Sequence, residues 1–60
     1  MDALIKSPSP HDIVRVAAAS ATDIRTVKAW ITGRPMRSTT RARVEGALRA
    51  LGFLRAEGAA

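Results

Sequence analysis

The stretch SATDIRTVKAWITGRP, Ser20 to Pro35, decides the fold. It opens on Ser20, Thr22 and Asp23, three side chains that can accept a hydrogen bond from the first unpaired amides of a helix. Val27, Trp30 and Ile31 then recur at spacings of three and one, which places them along one side of a helix, with Ile24 at its leading edge. Gly33 suits the left-handed conformation that follows a last helical turn, and Pro35 forbids continuation. The stretch therefore predicts a short second helix whose beginning and end are written in its own local chemistry.

On the N-terminal side, Ser9, Pro10 and Asp12 form another start. Ser9 can cap, Pro10 fits the first helical position, and Asp12 can reach back to complete a capping box. Helix one is predicted from about Pro10 to Ala19, with Ile13, Val16, Ala17 and Ser20 as its inward stripe and Val14 and Ala18 widening it. On the C-terminal side, Ser38 opens a third helix with Val44, Ala47, Leu48 and Leu51 turned inward and Gly52 as its stop. Gly46 sits inside that helix at a cost of about 1 kcal/mol relative to alanine, for which a close helix crossing and plain tolerance are both sufficient accounts. The fold class is all-α, a small three-helix domain over residues 9–54. Residues 1–8 and 55–60 are expected to be flexible tails, although Leu4 and Ile5 are apolar enough to dock on the core.

The link between helices one and two is too brief for an antiparallel pair, so the two must cross steeply. That arrangement is a helix-turn-helix. Ala17 is its small contact residue in helix one, Val27 and Trp30 anchor helix two, and Ala21 occupies a turn position that calls for a positive φ.

Sixty residues make one domain at most and bury a modest fraction of their surface, so the fold needs well-packed helices or a partner subunit. Leu51, Phe53 and Leu54 present more apolar surface than so small a unit readily covers, which predicts a symmetric homodimer interface there; closure of the monomer core by Phe53 is the competing account. The chain has no cysteine, and His11 is its only histidine, so neither a disulfide nor a metal site is expected. No apolar stretch has the length of a bilayer, and Met1 to Pro10 lacks the apolar core of a signal peptide, so a cytoplasmic, nucleoid-associated location is expected.

Ten Lys and Arg stand against five Asp and Glu, a net charge of +5 with a pI near 11.5, which points to a polyanionic partner. Eight of the ten are arginine, whose planar fork pairs with phosphate or guanine where lysine offers a point charge. Between Ile24 and Val44 lie Arg25, Lys28, Arg34, Arg37, Arg41 and Arg43 without one acid. With Val27, Trp30 and Ile31 inward, helix two turns Arg25, Lys28, Ala29 and Thr32 outward and carries Asp23 and Ile24 at its tip. In a major groove, Arg25 suits the O6 and N7 acceptors of guanine and Ile24 a thymine methyl. Lys28 can reach a base or phosphate, and Ala29 permits close approach. These four are the candidate base-reading residues.

Arg34 and Arg37 in the following loop, with Ser38, Thr40 and Arg41 at the start of helix three, are candidate phosphate ligands that fix orientation without reading sequence. Asp23 is better placed as a cap, or as an acceptor for a cytosine amino group, than beside a phosphate. Trp30 has the spacing of a core residue, and Arg43, Arg49 and Arg55 that of a solvated outer face.

From Arg15 to Phe53, about two-thirds of the chain, the sequence resembles the DNA-binding headpiece of LacI-type repressors. The resemblance is carried by Val16 and Ala17, Thr26 and Val27, Gly33 and Pro35, Ser38, Thr40 and Arg41, and the ending Leu51, Gly52, Phe53. The chain departs from that pattern at Trp30 and Ile31, at Thr32 and at Arg37. The resemblance implies a phosphate contact for Thr26. With its end at Ala60, the chain is expected to act as a stand-alone headpiece without an effector-binding domain and without a small-molecule effector. A repressor of the general phage or plasmid helix-turn-helix kind fits equally well.

Two functions follow from these features. One is a sequence-specific double-stranded DNA-binding regulator, most simply a homodimeric repressor on an inverted-repeat operator with half-sites about one helical turn apart, needing no cofactor. The other is a small protein-interaction module that docks an acidic partner. An enzyme is not expected, because the sequence has no paired carboxylates, no nucleophile with its base and no phosphate-binding glycine loop.

Overall fold

The computed structural model describes residues 4–55 and contains three helices: α1, Pro10–Ser20; α2, Ile24–Ile31; and α3, Ser38–Ala50. No strand occurs among the described residues, so the domain is all-α, with an architecture of generic helix-turn-helix type. The parts of the two expected tails at 1–3 and 56–60 lie outside the described residues.

Each helix begins and ends for identifiable reasons. At α1 the capping box forms in full: the Asp12 amide donates to Ser9 Oγ at 3.1 Å, and the Ser9 amide donates to Asp12 Oδ2 at 3.0 Å. Of the three side chains competing to open α2, Asp23 takes the role, its Oδ1 accepting the Thr26 amide at 2.8 Å. Ser20 instead turns inward. It is buried, donates to the Val16 carbonyl at 2.7 Å and shares a 2.7 Å hydroxyl contact with Thr22. Helix α3 starts differently, on Arg37, with no side-chain cap, and Ser38 is its first helical residue.

All three C-termini close in the same way. A residue with positive φ follows the last turn, and two amides fold back onto carbonyls that the helix leaves unpaired. After α2 the residue is Gly33 at φ 81°, with its own amide donating to Trp30 O and that of Arg34 to Ala29 O. After α3 it is Gly52 at φ 88°, with the Phe53 amide donating to Leu48 O at 2.8 Å. After α1 the residue is Ala21, at φ 58° and ψ 36°, with Thr22 donating to Ala17 O at 3.0 Å. Ala21 therefore adopts the positive φ that the turn demands while carrying a side chain, a conformation that costs an L-residue about 1–2 kcal/mol.

The core is Val16 and Ala17 from α1, Val27 from α2, Val44, Ala47 and Leu48 from α3, and Phe53 and Leu54 beyond it. Leu4, Ile13, Trp30, Ile31 and Leu51 pack around its edge. Val14 and Ala18, expected to widen the α1 stripe, are exposed, so the buried face of α1 is the narrow one. Gly46 is also exposed, and a Cβ built there meets nothing within 4 Å, so no close helix crossing accounts for it.

The chain on either side of the three helices packs onto the core. Phe53 and Leu54 are only 2% and 3% exposed, because the left-handed step at Gly52 turns the chain back and both amides donate to the Leu48 carbonyl. Buried in their own protomer, these side chains have no surface to offer a second copy; Leu51 is half-buried. Leu4, Ile5 and Lys6 lie against the end of the chain's apolar core. Leu4 packs on the core, the Ile5 amide donates to Phe53 O at 2.9 Å, and the Lys6 ammonium stands 4.8 Å from the centre of the Phe53 ring. The N-terminal segment thus contributes to the packing around Phe53.

Candidate nucleic-acid interface

The outer face of α2 carries the candidate site. Ile24, Lys28 and Thr32 follow one another at four-residue intervals, and Arg25 and Ala29 lie beside them at the same interval, so all five share one side of the helix. Val27 holds the opposite side in the core with no exposed surface, and this fixes which face is turned outward. Ile24, Arg25, Lys28, Ala29 and Thr32, joined by Arg34 from the loop, line one open hollow. Ile24 is 42% exposed there. The hollow contains three cations and no carboxylate, and its remaining lining is a methyl, a hydroxyl and an aliphatic side chain.

Four predicted base-reading residues, Ile24, Arg25, Lys28 and Ala29, are thus brought together with one predicted phosphate ligand, Arg34. Thr32 joins them. Sequence spacing already turned it outward, and its interval of four from Lys28 was the available signal that it belongs with the site. Its hydroxyl donates to the Lys28 and Ala29 carbonyls at 3.0 and 3.2 Å, which ties the end of α2 to itself.

The other predicted phosphate ligands lie elsewhere. Arg37, Ser38 and the half-buried Thr40 belong to the start of α3, where no side chain caps the helix and no acid occupies the first turn. The first amides of an uncapped helix, together with the partial positive charge of its N-terminus, suit an anionic oxygen. Thr26 is half-buried, and its backbone amide is occupied by the Asp23 cap. Arg41 lines a second hollow with Leu4, Trp30, Ile31, Gly33, Arg34 and Glu45, so Arg34 is the residue common to both.

Asp23 immediately precedes the basic face in sequence, and its environment explains its presence. Hydrogen bonds from Thr26, with a smaller contribution from the Arg25 charge, hold its carboxyl below the ordinary value of 3.8. It is an ionised helix cap at neutral pH, and a negative charge at a helix N-terminus is stabilising. Asp12 is held low in the same way, by the Ser9 backbone and side chain first and then by Arg15, 3.4 Å away, and His11.

Compared with known proteins, the chain matches no family model, no curated protein and no solved structure. The resemblance to LacI-type headpieces therefore extends no further than the motifs that carry it, and the architecture itself is that of a generic helix-turn-helix unit. No helix among the described residues is long and apolar enough to cross a membrane, and those residues contain no group of three or more His, Cys, Asp or Glu able to hold a metal ion.

The contribution of Glu45 was not read from the sequence. Its Oε2 accepts the Trp30 indole N–H at 3.0 Å, across a separation of 15 residues, and so joins α2 to α3. Arg41 and Arg49 approach the same carboxylate at 3.9 and 3.8 Å from one turn before and one turn after it. The i, i+4 arginines were a visible signal. The indole was not, because nothing local pairs positions 30 and 45.

Proposed function

We propose that this protein is a sequence-specific double-stranded DNA-binding regulator, most simply a repressor, that inserts α2 into the major groove. One observation carries the proposal: Arg25, Lys28 and Arg34 share a single acid-free hollow with Ile24, Ala29 and Thr32, on a helix whose opposite side is locked into the core. Guanidinium and methyl groups on one narrow helical face match the acceptors and thymine methyls that a major groove displays. Arg37, Ser38, Thr40 and Arg41 then grip phosphates around the start of α3, as Thr26 does from α2. LacI-like headpieces remain the model for this docking. The reading requires no cofactor, effector or catalytic step, and it places the protein with the chromosome in the cytoplasm.

Two copies on an inverted repeat belong to the same proposal. With Phe53 and Leu54 buried, the apolar side chains available to join protomers include, among the described residues, the exposed Ile5 and Val14 and the half-buried Leu51. The test is selection of bound duplexes from a random pool by the full chain. An enriched sequence is expected, and a palindrome within it would establish the dimer. A pool that stays random while an acidic protein competes for the basic face would overturn the proposal in favour of a protein-docking module.

A further inference from the structure

We propose that Glu45 is a positioning and specificity-setting residue for DNA binding: its carboxylate holds the Trp30 indole to fix α2 against α3 and, through the same oxygen, restrains Arg41 from gripping phosphate indiscriminately. The inference rests on the DNA-binding function proposed above and adds a residue that lies outside the reading face.

Three observations support it. First, Asp12 and Asp23 are both committed to capping helices, whereas Glu45 lies in the middle of α3 and caps nothing. Second, α2 touches α3 much less than it touches α1, so the Trp30–Glu45 bond has a disproportionate part in setting how α2 sits relative to the phosphate-gripping start of α3. Third, the Oε2 that accepts the indole N–H at 3.0 Å is also the atom nearest Arg41 Nε, at 3.9 Å. The Arg41 side chain is 58% exposed and that of Glu45 only 19%. The arginine can therefore swing out to a phosphate, while the carboxylate stays behind with the tryptophan.

An i, i+4 pair as long as Arg41–Glu45, at 3.9 Å and with its arginine exposed, contributes little to stability, so its value lies in what the charge does to a third party. On random DNA, phosphate contacts supply nearly all the attraction. A carboxylate beside Arg41 subtracts from that attraction. On the correct site, base contacts from α2 add to the phosphate contacts, and these depend on the helix being held at one angle. Glu45 thus lowers the background through Arg41 and preserves the signal through Trp30. Both effects raise the ratio of specific to random binding.

The test uses the full chain, the duplex it selects from a random pool, and a random duplex of equal length. Glu45→Gln keeps an oxygen acceptor for the indole and removes the charge. It is expected to tighten random-duplex binding about three- to tenfold, to steepen the salt dependence by about one ion, and to tighten selected-duplex binding less. Trp30→Phe keeps the ring and the carboxylate but removes the N–H. It is expected to weaken the selected duplex while leaving the random one and its salt dependence unchanged.

Thermal melts confirm that each variant is folded. If Trp30→Phe does not fold, the emission of the chain's single tryptophan in Glu45→Leu, which removes the indole's acceptor, decides its arm: a spectrum identical to that of the parent protein, free and bound, overturns the anchoring role. If Glu45→Gln tightens both duplexes by the same factor, the specificity-setting role is overturned although DNA binding stands. If the wild-type chain enriches no duplex at all, the function proposed above fails, and this inference fails with it.

Discussion

Replacing Ala21 by glycine should stabilise the protein, even though the change deletes atoms and makes no contact. Ala21 stands at φ 58° and ψ 36° and closes α1 with the same pair of amide-to-carbonyl bonds that Gly33 and Gly52 make after α2 and α3. Holding an L-residue there costs about 1–2 kcal/mol, which glycine does not incur. Against this, glycine gives the unfolded chain extra freedom that lowers stability by about 0.4–1 kcal/mol. Ala21 is exposed, so its methyl group takes no packing energy with it. The net gain is about 0.5–1 kcal/mol, or an increase of roughly 2–8 °C in Tm for a domain of this size. Thermal and urea unfolding followed by circular dichroism would measure it, with an unchanged m-value showing that the unfolded state has stayed comparable. The mirror experiment is Gly33→Ala: φ is 81° and an added Cβ meets nothing within 4 Å, so its loss would be purely conformational. An Ala21→Gly Tm equal to or below that of the parent protein would refute the reasoning, because it would mean that the turn does not strain alanine.

The remaining predictions concern binding, acid stability and α3. Arg25→Ala should cost about 1–3 kcal/mol on the selected duplex and relax preference at one base position, whereas Arg41→Ala should weaken all duplexes alike and flatten the salt dependence; titrations at several salt concentrations separate the two. Asp12 and Asp23 both have carboxyls lowered by folding, so the stability they supply is fully present above the ordinary value of 3.8 and is lost as pH falls through their lower folded values. Urea midpoints measured between neutral pH and pH 2 should therefore fall in acid, and Asp23→Asn, which retains a capping oxygen but not the titration, should reduce that fall. Gly46→Ala should stabilise α3 by about 0.5–1 kcal/mol, read as a rise in urea midpoint, because the position is exposed and open space surrounds the added Cβ.

What was legible in the sequence was what acts over three or four residues. Ser9 with Asp12, Pro10, Gly33 and Gly52 all perform their expected tasks because a cap or a stop is a local bargain between one side chain or one φ and the nearest amides. The stripes Val16–Ala17, Val27 and Val44–Ala47–Leu48 followed from helical periodicity in the same way. Between Ser20, Thr22 and Asp23 the sequence offered a choice. It was settled by helical register: Ser20 is the last residue of α1, turned inward four residues after Val16, and the left-handed step at Ala21 that ends α1 leaves Asp23 at the head of α2.

The missed features all depend on residues that meet only after the helices pack. Periodicity ends with α3, so no pattern showed that Phe53 and Leu54 fold back beneath Leu48, or that Ile5 bonds to Phe53 from 48 residues away. The apolar tail after α3 and the apolar segment before α1 each look like unsatisfied surface when taken alone, yet Leu4 packs on the core that Phe53 and Leu54 complete, while Ile5 keeps its side chain exposed.

The same logic applies to charge. Counted along the chain, the acid-free run from Ile24 to Val44 is a single basic block; folded, it divides into a basic outer face on α2 and a second basic region around the start of α3, with Arg34 lining a hollow in each. Glu45, the first acid after that run, reaches back into it. Its contact with Trp30 makes the spacing between the two basic regions a mechanical property of the domain rather than an accident of composition. A helix-turn-helix unit this small has few ways to stiffen that spacing, and a carboxylate held between an indole and two arginines is one that uses residues whose individual charges contribute little to stability.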